Sequence, residues 1–334
     1  MRLLVTGGCG FIGANYLHMV LAEQPDEVVV NLDKLTYAGN LDSVRELEQQ
    51  FGGSRYIFEH GDIADPELVR RIFKKHRIEA VVNFAAESHV DRSINDPAPF
   101  VTTNVQGTQN LLHLAREAGV ERFVHVSTDE VYGSLSPKEA AFTEQTPLKP
   151  NSPYSASKAS ADLFCRAYHE TYGYPVIVTR CSNNYGPYQF PEKLIPLMFL
   201  KAQAGEPLPI YGDGSNVRDW IYVLDHCRGV DLALRKGRPG QVYNFGGRAE
   251  MTNLQVVTAI LDIVGRDHSL ISFVTDRPGH DQRYAMNFDL AEQELGFAPS
   301  LDFLTGLGET IAWYQSNEDW LAAVQSGEYR TFMD

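Results

Sequence analysis

The stretch that decides the fold reads Thr6-Gly7-Gly8-Cys9-Gly10-Phe11-Ile12-Gly13. It lies between an apolar run at 3–5, which predicts a β-strand, and a segment at about 11–22 whose apolar side chains recur at helical spacing. Glycines at such a junction let the backbone approach a pyrophosphate, which the free N–H groups at the start of the helix then bind. The sequence therefore predicts a dinucleotide-binding turn formed by Gly7, Gly10, Phe11, Ile12 and Gly13.

An acidic residue follows the next predicted strand, at 28–32. Asp33 comes 20 residues after Gly13, the spacing at which a carboxylate binds the adenosine ribose of a dinucleotide. Because a carboxylate repels a 2′-phosphate, Asp33 favours NAD over NADP, whereas the adjacent Lys34 weakens this preference. A flexible glycine loop is the alternative interpretation, which the strand, the helix and the acid together disfavour. Further cofactor contacts are predicted at Lys34, Leu35, Thr36, Asp62, Ile63, Phe84, Ala85, Ala86, Ser88 and Thr103.

The order of the predicted elements indicates an α/β fold. Apolar runs at 56–60, 80–84, 123–127 and 175–179 alternate with helical patterns, which is typical of βαβ units and a parallel sheet. We predict a Rossmann-type doubly wound parallel sheet with a smaller C-terminal substrate-binding lobe, because the chain after about 185 is rich in proline and glycine.

The predicted boundaries are 1–185 for the NAD-binding domain, and 186–218 with 248–334 for the smaller lobe. A strand–helix unit at 220–234 and a strand at 242–245 are expected to rejoin the main sheet. The first domain therefore gains a return segment of about 219–247, and the two domains are interleaved along the chain.

Charge and composition exclude several classes of protein. The 334 residues include 29 Lys and Arg against 43 Asp and Glu, a formal net charge of −14, whereas nucleic-acid binding needs a basic face. No apolar run approaches the ~20 residues of a membrane span, and the first strand begins too early for a signal peptide. The widely spaced Cys9, Cys165, Cys181 and Cys227 predict reduced thiols, no metal site and a cytoplasmic protein.

A second group of residues points to acid–base chemistry. Tyr154 and Lys158 are four residues apart, so they share one helix face, where the ammonium is expected to lower the pKa of the phenol. Such a pair takes a proton from a hydroxyl while a nicotinamide takes the hydride. Thr128-Asp129-Glu130, after the strand at 123–127, adds two carboxylates that a simple oxidation does not require. The sequence therefore predicts dehydration coupled to hydride transfer, although such pairs are often surface neighbours or helix caps.

Four longer motifs carry a resemblance to a known family. They are Ala85-Ala-Glu-Ser-His-Val-Asp-Arg-Ser-Ile94, Ser127-Thr-Asp-Glu-Val-Tyr-Gly133, Cys181-Ser-Asn-Asn-Tyr-Gly-Pro187 and Asp276-Arg-Pro-Gly-His-Asp281. With the glycine turn and the Tyr–Lys pair, the whole chain resembles the extended short-chain dehydrogenase/reductase family. The motifs are similar to those of its dTDP-glucose 4,6-dehydratase branch. Related epimerases usually carry small residues at positions 129 and 130, and GDP-mannose dehydratases generally keep only the glutamate.

The resemblance implies a three-step reaction on dTDP-glucose with tightly bound NAD, which is regenerated in each turnover. Tyr154, assisted by Lys158, would take the 4-hydroxyl proton while NAD takes the C4 hydride. Glu130 would then remove the C5 proton as Asp129 protonates the departing 6-hydroxyl, after which the hydride returns to C6. Thr128 would hold the 4-hydroxyl toward Tyr154.

The resemblance also implies a nucleotide-sugar site, with Asn184 nearer the cofactor. The implied substrate residues are Ser88, Thr128, Asn183, Lys193, Leu194, Pro209, Ile210, Tyr211, Arg218, Asn253, Arg277 and His280. The two arginines suit a diphosphate, which prefers forked donors, but an arginine in a loop is as often a solvated charge.

The resemblance implies a homodimer through helices at about 99–118 and 152–172. Three alternatives for the function stay open at this point. They are a UDP-glucose 4,6-dehydratase, an epimerase of the same fold, and a non-catalytic NAD-sensing protein.

Overall fold

The computed structural model describes residues 1–276 and 281–327. Its strands are β1 (Arg2–Thr6), β2 (Val28–Asp33), β3 (Tyr56–His60), β4 (Ala80–Asn83), β5 (Arg122–Thr128), β6 (Val176–Cys181), β7 (Asn183–Tyr185), β8 (Leu208–Tyr211), β9 (Val217–Tyr222), β10 (Val242–Phe245), β11 (Glu250–Thr252) and β12 (Ile271–Val274). Its α-helices are α1 (Phe11–Glu23), α2 (Arg45–Phe51), α3 (Pro66–His76), α4 (Val90–Asn95), α5 (Ala98–Phe100), α6 (Thr108–Glu117), α7 (Pro153–Tyr172), α8 (Leu194–Ala204), α9 (Val223–Lys236), α10 (Asn253–Val264), α11 (Asp289–Leu295), α12 (Phe303–Ser316) and α13 (Glu318–Ser326).

The predicted Rossmann-type α/β fold is confirmed. Seven parallel strands form the main sheet in the order β10-β6-β5-β4-β1-β2-β3. Both faces of this sheet are buried. Successive residues of a strand point to opposite faces, so neighbouring side chains pack in different cores. Leu3 and Val5 pack in the core that includes α1 and α9, whereas Leu4 packs in the core on α3, α6 and α7. The carboxyl ends of β1, β4 and β5 therefore meet at one edge, where ligands of such sheets bind.

Local sequence signals place the helices that matter for the site. Helix α7 begins with a capping box, in which the side chains of Ser152 and Ser155 bond each other's backbone N–H groups, and Pro153 occupies its first turn. It ends at Gly173, which has the left-handed φ of 62°. Tyr154 therefore lies in the first turn of a well-defined helix.

The predicted return to the main sheet is correct for one strand and wrong for the other. Strand β10 joins the main sheet beside β6. Strand β9 instead forms a three-stranded sheet between β11 and β7, while the helix that follows it, α9, packs in the main core. The physical reason is that β9 pairs with Asn183–Tyr185 and Glu250–Thr252, so that Trp220 and Tyr222 pack in a second core while Ile221 still packs in the main one.

That second core belongs to the smaller lobe. It is built from α8, α10, α12 and α13 around Tyr185, Trp220 and Tyr222. Residues 288–297, which the prediction assigned to the lobe, instead contribute Phe288, Ala291, Leu295 and Phe297 to the core of the main sheet. Among the described residues, no helix has both the length and the apolar character needed to span a membrane.

Candidate active site at the carboxyl edge of the main sheet

The glycine turn is sterically required. Gly7 has φ 71°, and a Cβ atom there would lie 2.7 Å from the backbone nitrogen of Ala85. A Cβ atom on Gly13 would lie 2.2 Å from the carbonyl oxygen of Gly7. At Gly10, which precedes α1, a Cβ atom would lie 3.3 Å from the carbonyl oxygen of Gly7, a tight contact but less severe than those at Gly7 and Gly13. The turn thus leaves a backbone-lined cradle at a helix N-terminus, which fits a pyrophosphate.

One cleft extends from this turn along the carboxyl edge of the sheet. Nineteen of the predicted site residues line it: Gly7, Gly10, Phe11, Ile12, Gly13, Asp33, Lys34, Thr36, Asp62, Ile63, Phe84, Ala85, Ala86, Ser88, Thr103, Thr128, Tyr154, Lys158 and Lys193. The lining also includes residues that the sequence analysis missed, among them Tyr37, Cys181, Gln189, Phe190 and Glu192. The cleft is long and continuous, as a dinucleotide requires.

Two predicted cofactor residues do not line the cleft. Leu35 is buried and has φ 55°, and its N–H group donates to Asp33 Oδ1 at 2.8 Å, so it shapes the loop. The amide of Asn184 is held behind the cleft wall, where it donates to the Ser182 carbonyl at 3.0 Å and bonds His226 Nδ1 at 2.9 Å. These contacts hold the backbone of Leu35 and the side chain of Asn184 away from the open cleft.

The surroundings of Asp33, at the end of β2, and of the adjacent Lys34 favour NAD as the cofactor. The Asp33 carboxylate accepts the N–H groups of Cys9 and Leu35, both at 2.8 Å, which holds it between the glycine turn and the next loop. Burial raises its pKa from the usual value. The ammonium of Lys34 is bonded to Asp62 at 2.7 Å, so its charge is already paired. Lys34 therefore weakens the preference for NAD less than the sequence analysis expected.

Tyr154 and Lys158 both line the cleft, and both are buried. The Lys158 ammonium donates to the carbonyl of Val126 at 2.7 Å. The prediction that Lys158 lowers the pKa of Tyr154 is wrong: that pKa lies well above its usual value. Burial raises it first and the charge of Glu130 second, while a hydrogen bond with Thr128 lowers it only in part.

The strand end at β5 brings both carboxylates next to this pair. Asp129 is 2% exposed, its Oδ1 accepts the Thr128 hydroxyl at 3.3 Å, and its Oδ2 has no hydrogen-bond partner in the described structure. Burial raises the pKa of Asp129 well above the usual range, and the carboxylates of Glu130 and Asp219 raise it further. A buried carboxyl group with a raised pKa keeps its proton, as a general acid must. Glu130 is half-buried.

A π-helical turn, Val101–Gly107, positions the backbone around Tyr154. It places the buried Asn104 so that its amide donates to the Glu87 carbonyl at 2.9 Å and to Ser157 Oγ at 2.8 Å. Ser157 in turn donates to the carbonyl of Tyr154 at 2.6 Å. Asn104 therefore connects the backbone of Glu87 in the cleft wall to helix α7.

The described substrate residues that the sequence predicts divide by exposure into buried, exposed and half-buried side chains. Arg218 is buried over the ring of Tyr284 at 4.3 Å, and it donates to the carbonyls of Val217 and Asp281 at 2.7 and 2.9 Å. Ile210 is 2% exposed and packs in the lobe core, so its side chain is structural rather than a substrate contact. Tyr211 is 45% exposed beside it. The half-buried members are Ser88, Asn183, Lys193, Leu194, Pro209 and Asn253, while Arg277 and His280 lie outside the described residues.

Comparison with known proteins agrees with this geometry. The family model described as GDP-mannose 4,6 dehydratase matches residues 4–310. A dTDP-glucose 4,6-dehydratase of Xanthomonas campestris is 51% identical over 98% of this chain and 97% of its own. The chain belongs to the dTDP-glucose 4,6-dehydratase family. The resemblance inferred from the motifs is thereby confirmed.

Solved structures of this family superimpose closely. The dTDP-glucose 4,6-dehydratase of Streptomyces venezuelae, crystallised with NAD, is 50% identical with a TM-score of 0.93 over 97% of this chain and 100% of its own. The enzyme of Bacillus anthracis, also in complex with NAD, is 49% identical with a TM-score of 0.91 over 97% and 99%. The family fold therefore extends over both the main sheet and the smaller lobe.

Proposed function

We propose that this chain is an NAD-dependent dTDP-glucose 4,6-dehydratase, a hydro-lyase that releases dTDP-4-keto-6-deoxyglucose and water. The observation that carries the proposal is the carboxylate pair Asp129 and Glu130, held at the end of β5 beside Thr128 and Tyr154. Oxidation at C4 alone would need only the tyrosine. Two further acid–base groups at the same spot suit the removal of a C5 proton and the departure of a 6-hydroxyl.

The cleft fits NAD by shape and charge. The glycine turn would hold the pyrophosphate and Asp33 the adenosine ribose. The ammonium of Lys34 is already paired with Asp62, so it would not attract a 2′-phosphate. When bound, NAD accepts the hydride from C4 and returns it to C6, and its positive ring favours the Tyr154 phenolate.

The residues of this chain would move three protons. Tyr154 Oη takes the proton of the 4-hydroxyl, which Thr128 orients. Glu130 takes the C5 proton and later returns it. Asp129, protonated because burial raises its pKa, donates to the departing 6-oxygen. Lys158 lines the same cleft, where its ammonium is held by the carbonyl of Val126.

The nucleotide part of the substrate would lie between the cleft and the smaller lobe. Lys193 lines the cleft near its outer end, and Arg218 is a buried guanidinium between β9 and Asp281, so both suit a diphosphate. Asn183, at the start of β7, and the exposed ring of Tyr211 are the proposed contacts to the sugar and the base.

A product assay tests the proposal against its rivals. The purified chain is incubated separately with dTDP-glucose, UDP-glucose and GDP-mannose, and the 4-keto-6-deoxy product is measured. We expect turnover of dTDP-glucose to dominate. Epimerised sugar without loss of water would identify an epimerase. Preferred turnover of UDP-glucose would identify a UDP-glucose 4,6-dehydratase, and binding without any turnover would identify a non-catalytic NAD-sensing protein.

A matched variant tests the role of Glu130. Glu130→Gln keeps the shape of the side chain but removes the base, so incorporation of solvent deuterium at C5 should cease while oxidation at C4 continues. Asp129→Asn, which removes the acid, should instead leave C5 exchange in place. Equal C5 exchange in Glu130→Gln and the unmodified chain would assign the base to another residue.

We further propose that the chain forms a homodimer in the cytoplasm. Helix α7 and the π-helical turn preceding α6 expose four large apolar side chains: Val101 at 56%, Leu163 at 56%, Phe164 at 38% and Tyr172 at 54%. Large exposed apolar side chains on two neighbouring helical segments suit a partner of the same kind. Light scattering should give twice the chain mass of 37.4 kDa, and Leu163→Glu should reduce it.

A further inference from the structure

The two proposed acid–base carboxylates lie on a very short element. Asp129 and Glu130 begin a single 3₁₀ turn, Asp129–Tyr132, which directly follows β5. The hydrogen bonds inside so short an element are few and poorly aligned, so contacts with the rest of the protein determine its orientation. The start of the turn is held by Thr128, whose hydroxyl accepts the N–H group of Glu130 at 3.3 Å. The end of the turn is held by the side chain of Tyr132.

The Tyr132 side chain is fixed on three sides. It is 2% exposed, and its ring stacks on that of Phe142 with 4.9 Å between the ring centroids. Its phenolic oxygen accepts a hydrogen bond from Arg180 Nη1 at 2.9 Å and donates one to Asn244 Oδ1 at 2.8 Å. Burial raises the pKa of Tyr132 to about 12, so the phenol keeps the proton that it donates to Asn244.

Arg180 connects this phenol to the helix that carries Tyr154. Arg180 lies in β6, where it is the register partner of Ser127 in β5. Its Nε donates to Asp162 Oδ2 at 2.8 Å, and Asp162 lies on α7 together with Tyr154. The forked guanidinium can bond a carboxylate and a phenol at the same time, which a lysine ammonium on its flexible stem does not do in a fixed geometry. The orientation of the turn is therefore tied to β6 and to α7 through one buried side chain.

We propose, on the basis of the proposed function, that Tyr132 is a positioning residue for the loss of water, with Arg180 as its anchor. Both side chains are buried and bonded to protein groups, so they act through the turn and not on the sugar. The phenol fixes the turn so that Asp129 faces the departing 6-oxygen while Glu130 faces C5. Oxidation at C4 does not depend on this contact, because Tyr154 is carried by α7.

Tyr132→Phe tests the contact, because it keeps the ring and removes only the hydroxyl. Nicotinamide absorbance in a single turnover rises as C4 is oxidised and falls as the hydride returns to C6. We expect the rise to keep the unmodified rate. The fall should slow by roughly 10–10²-fold, since misplacing a catalytic group by about 1 Å costs up to about 10²-fold. The matched control is Tyr174→Phe, which should change neither rate, because Tyr174 is buried and its hydroxyl has no hydrogen-bond partner in the described structure.

Arg180→Lys tests the same contact from its other side. A lysine keeps a positive charge beside Asp162 but lacks the fork that also reaches the phenol, so the fall should again be slower than the rise. All rates are expressed per folded, NAD-bound site, which removes any loss of stability from the comparison.

Two results for Tyr132→Phe would overturn the proposal. Equal slowing of the rise and the fall would show that the phenol only supports the fold, and a fall at the unmodified rate would show that it does not position the turn. Failure of the proposed function looks different, because the unmodified chain would then form no 4-keto-6-deoxy product.

Discussion

Replacement of Asp129 by asparagine should lower activity and raise stability at the same time. The carboxyl group is 2% exposed, one of its oxygens has no hydrogen-bond partner in the described structure, and its pKa is raised by burial and by Glu130 and Asp219. A neutral amide of the same shape avoids the cost of a buried charge. We expect turnover to fall by roughly 10²–10⁴-fold. The free energy of unfolding at neutral pH should rise by about 1.4 kcal/mol for each unit by which burial raises the pKa of Asp129, because asparagine has no proton to bind or lose.

The sign of the pH dependence follows from the raised pKa. A folded chain that binds a proton at Asp129 more tightly than the unfolded chain is stabilised at low pH, and this stabilisation is lost as pH rises toward the folded pKa. Asparagine at 129 does not titrate. The gain in stability of Asp129→Asn should therefore be smallest near pH 4, where about half of the unfolded aspartate is protonated, and should grow as the pH rises toward neutrality.

Urea unfolding of the unmodified chain, Asp129→Asn and Asp162→Asn, each at about pH 4 and about pH 7, measures this effect. The control is Asp162→Asn, because Asp162 is equally buried but accepts Arg180 Nε at 2.8 Å. Loss of one partner from such a buried pair costs about 3–5 kcal/mol, so the control should be destabilised. If Asp129→Asn lost as much stability as Asp162→Asn, Asp129 would be a satisfied structural carboxylate, and its assignment as the acid would be refuted.

Three further predictions concern the base and the cofactor cleft. Tyr154→Phe should lower turnover by roughly 10²–10⁴-fold with little change in nucleotide-sugar affinity, and near-normal turnover would transfer the base role to Glu130. Gly13→Ala should destabilise the fold, since its Cβ atom would lie 2.2 Å from the Gly7 carbonyl oxygen, whereas Gly10→Ala should keep its melting temperature and lose NAD affinity in titration calorimetry. Protein purified without added cofactor should release about one NAD per chain on denaturation, and a need for stoichiometric NAD during turnover would contradict the closed cycle.

The main sheet was predictable because its signals are local. The glycine turn, the acid after β2 and the Asp65–Pro66 helix start each depend on residues within one βαβ unit. The small sheet was not predictable in the same way. Strand β9 has the buried run 220–222, as a strand of the main sheet would, and nothing within it specifies pairing with Asn183–Tyr185 on one side and Glu250–Thr252 on the other. Such pairing depends on how the two lobes pack.

The site shows the same division between local and distant information. Thr128, Tyr154 and Lys158 were found because strand ends and helical spacing position them, and the structure brings them together in the cleft. Gln189 and Phe190 were missed, because they reach the cleft from an irregular segment without periodicity. The raised pKa of Tyr154 was missed for a different reason: it arises from burial and from Glu130, which spacing along a helix cannot reveal.

The π-helical turn at Val101–Gly107 makes the number of residues in this helix as important as their identity. Each residue of an α-helix advances it by about 100°. A single deletion within the turn would convert it to regular α-helix and rotate Asn104 away from Glu87 and Ser157, whose hydrogen bonds it holds together. Point substitutions at the exposed positions 101, 102 and 106 would not rotate Asn104. Natural variants of this chain should therefore keep the length of this segment, while insertions and deletions accumulate elsewhere.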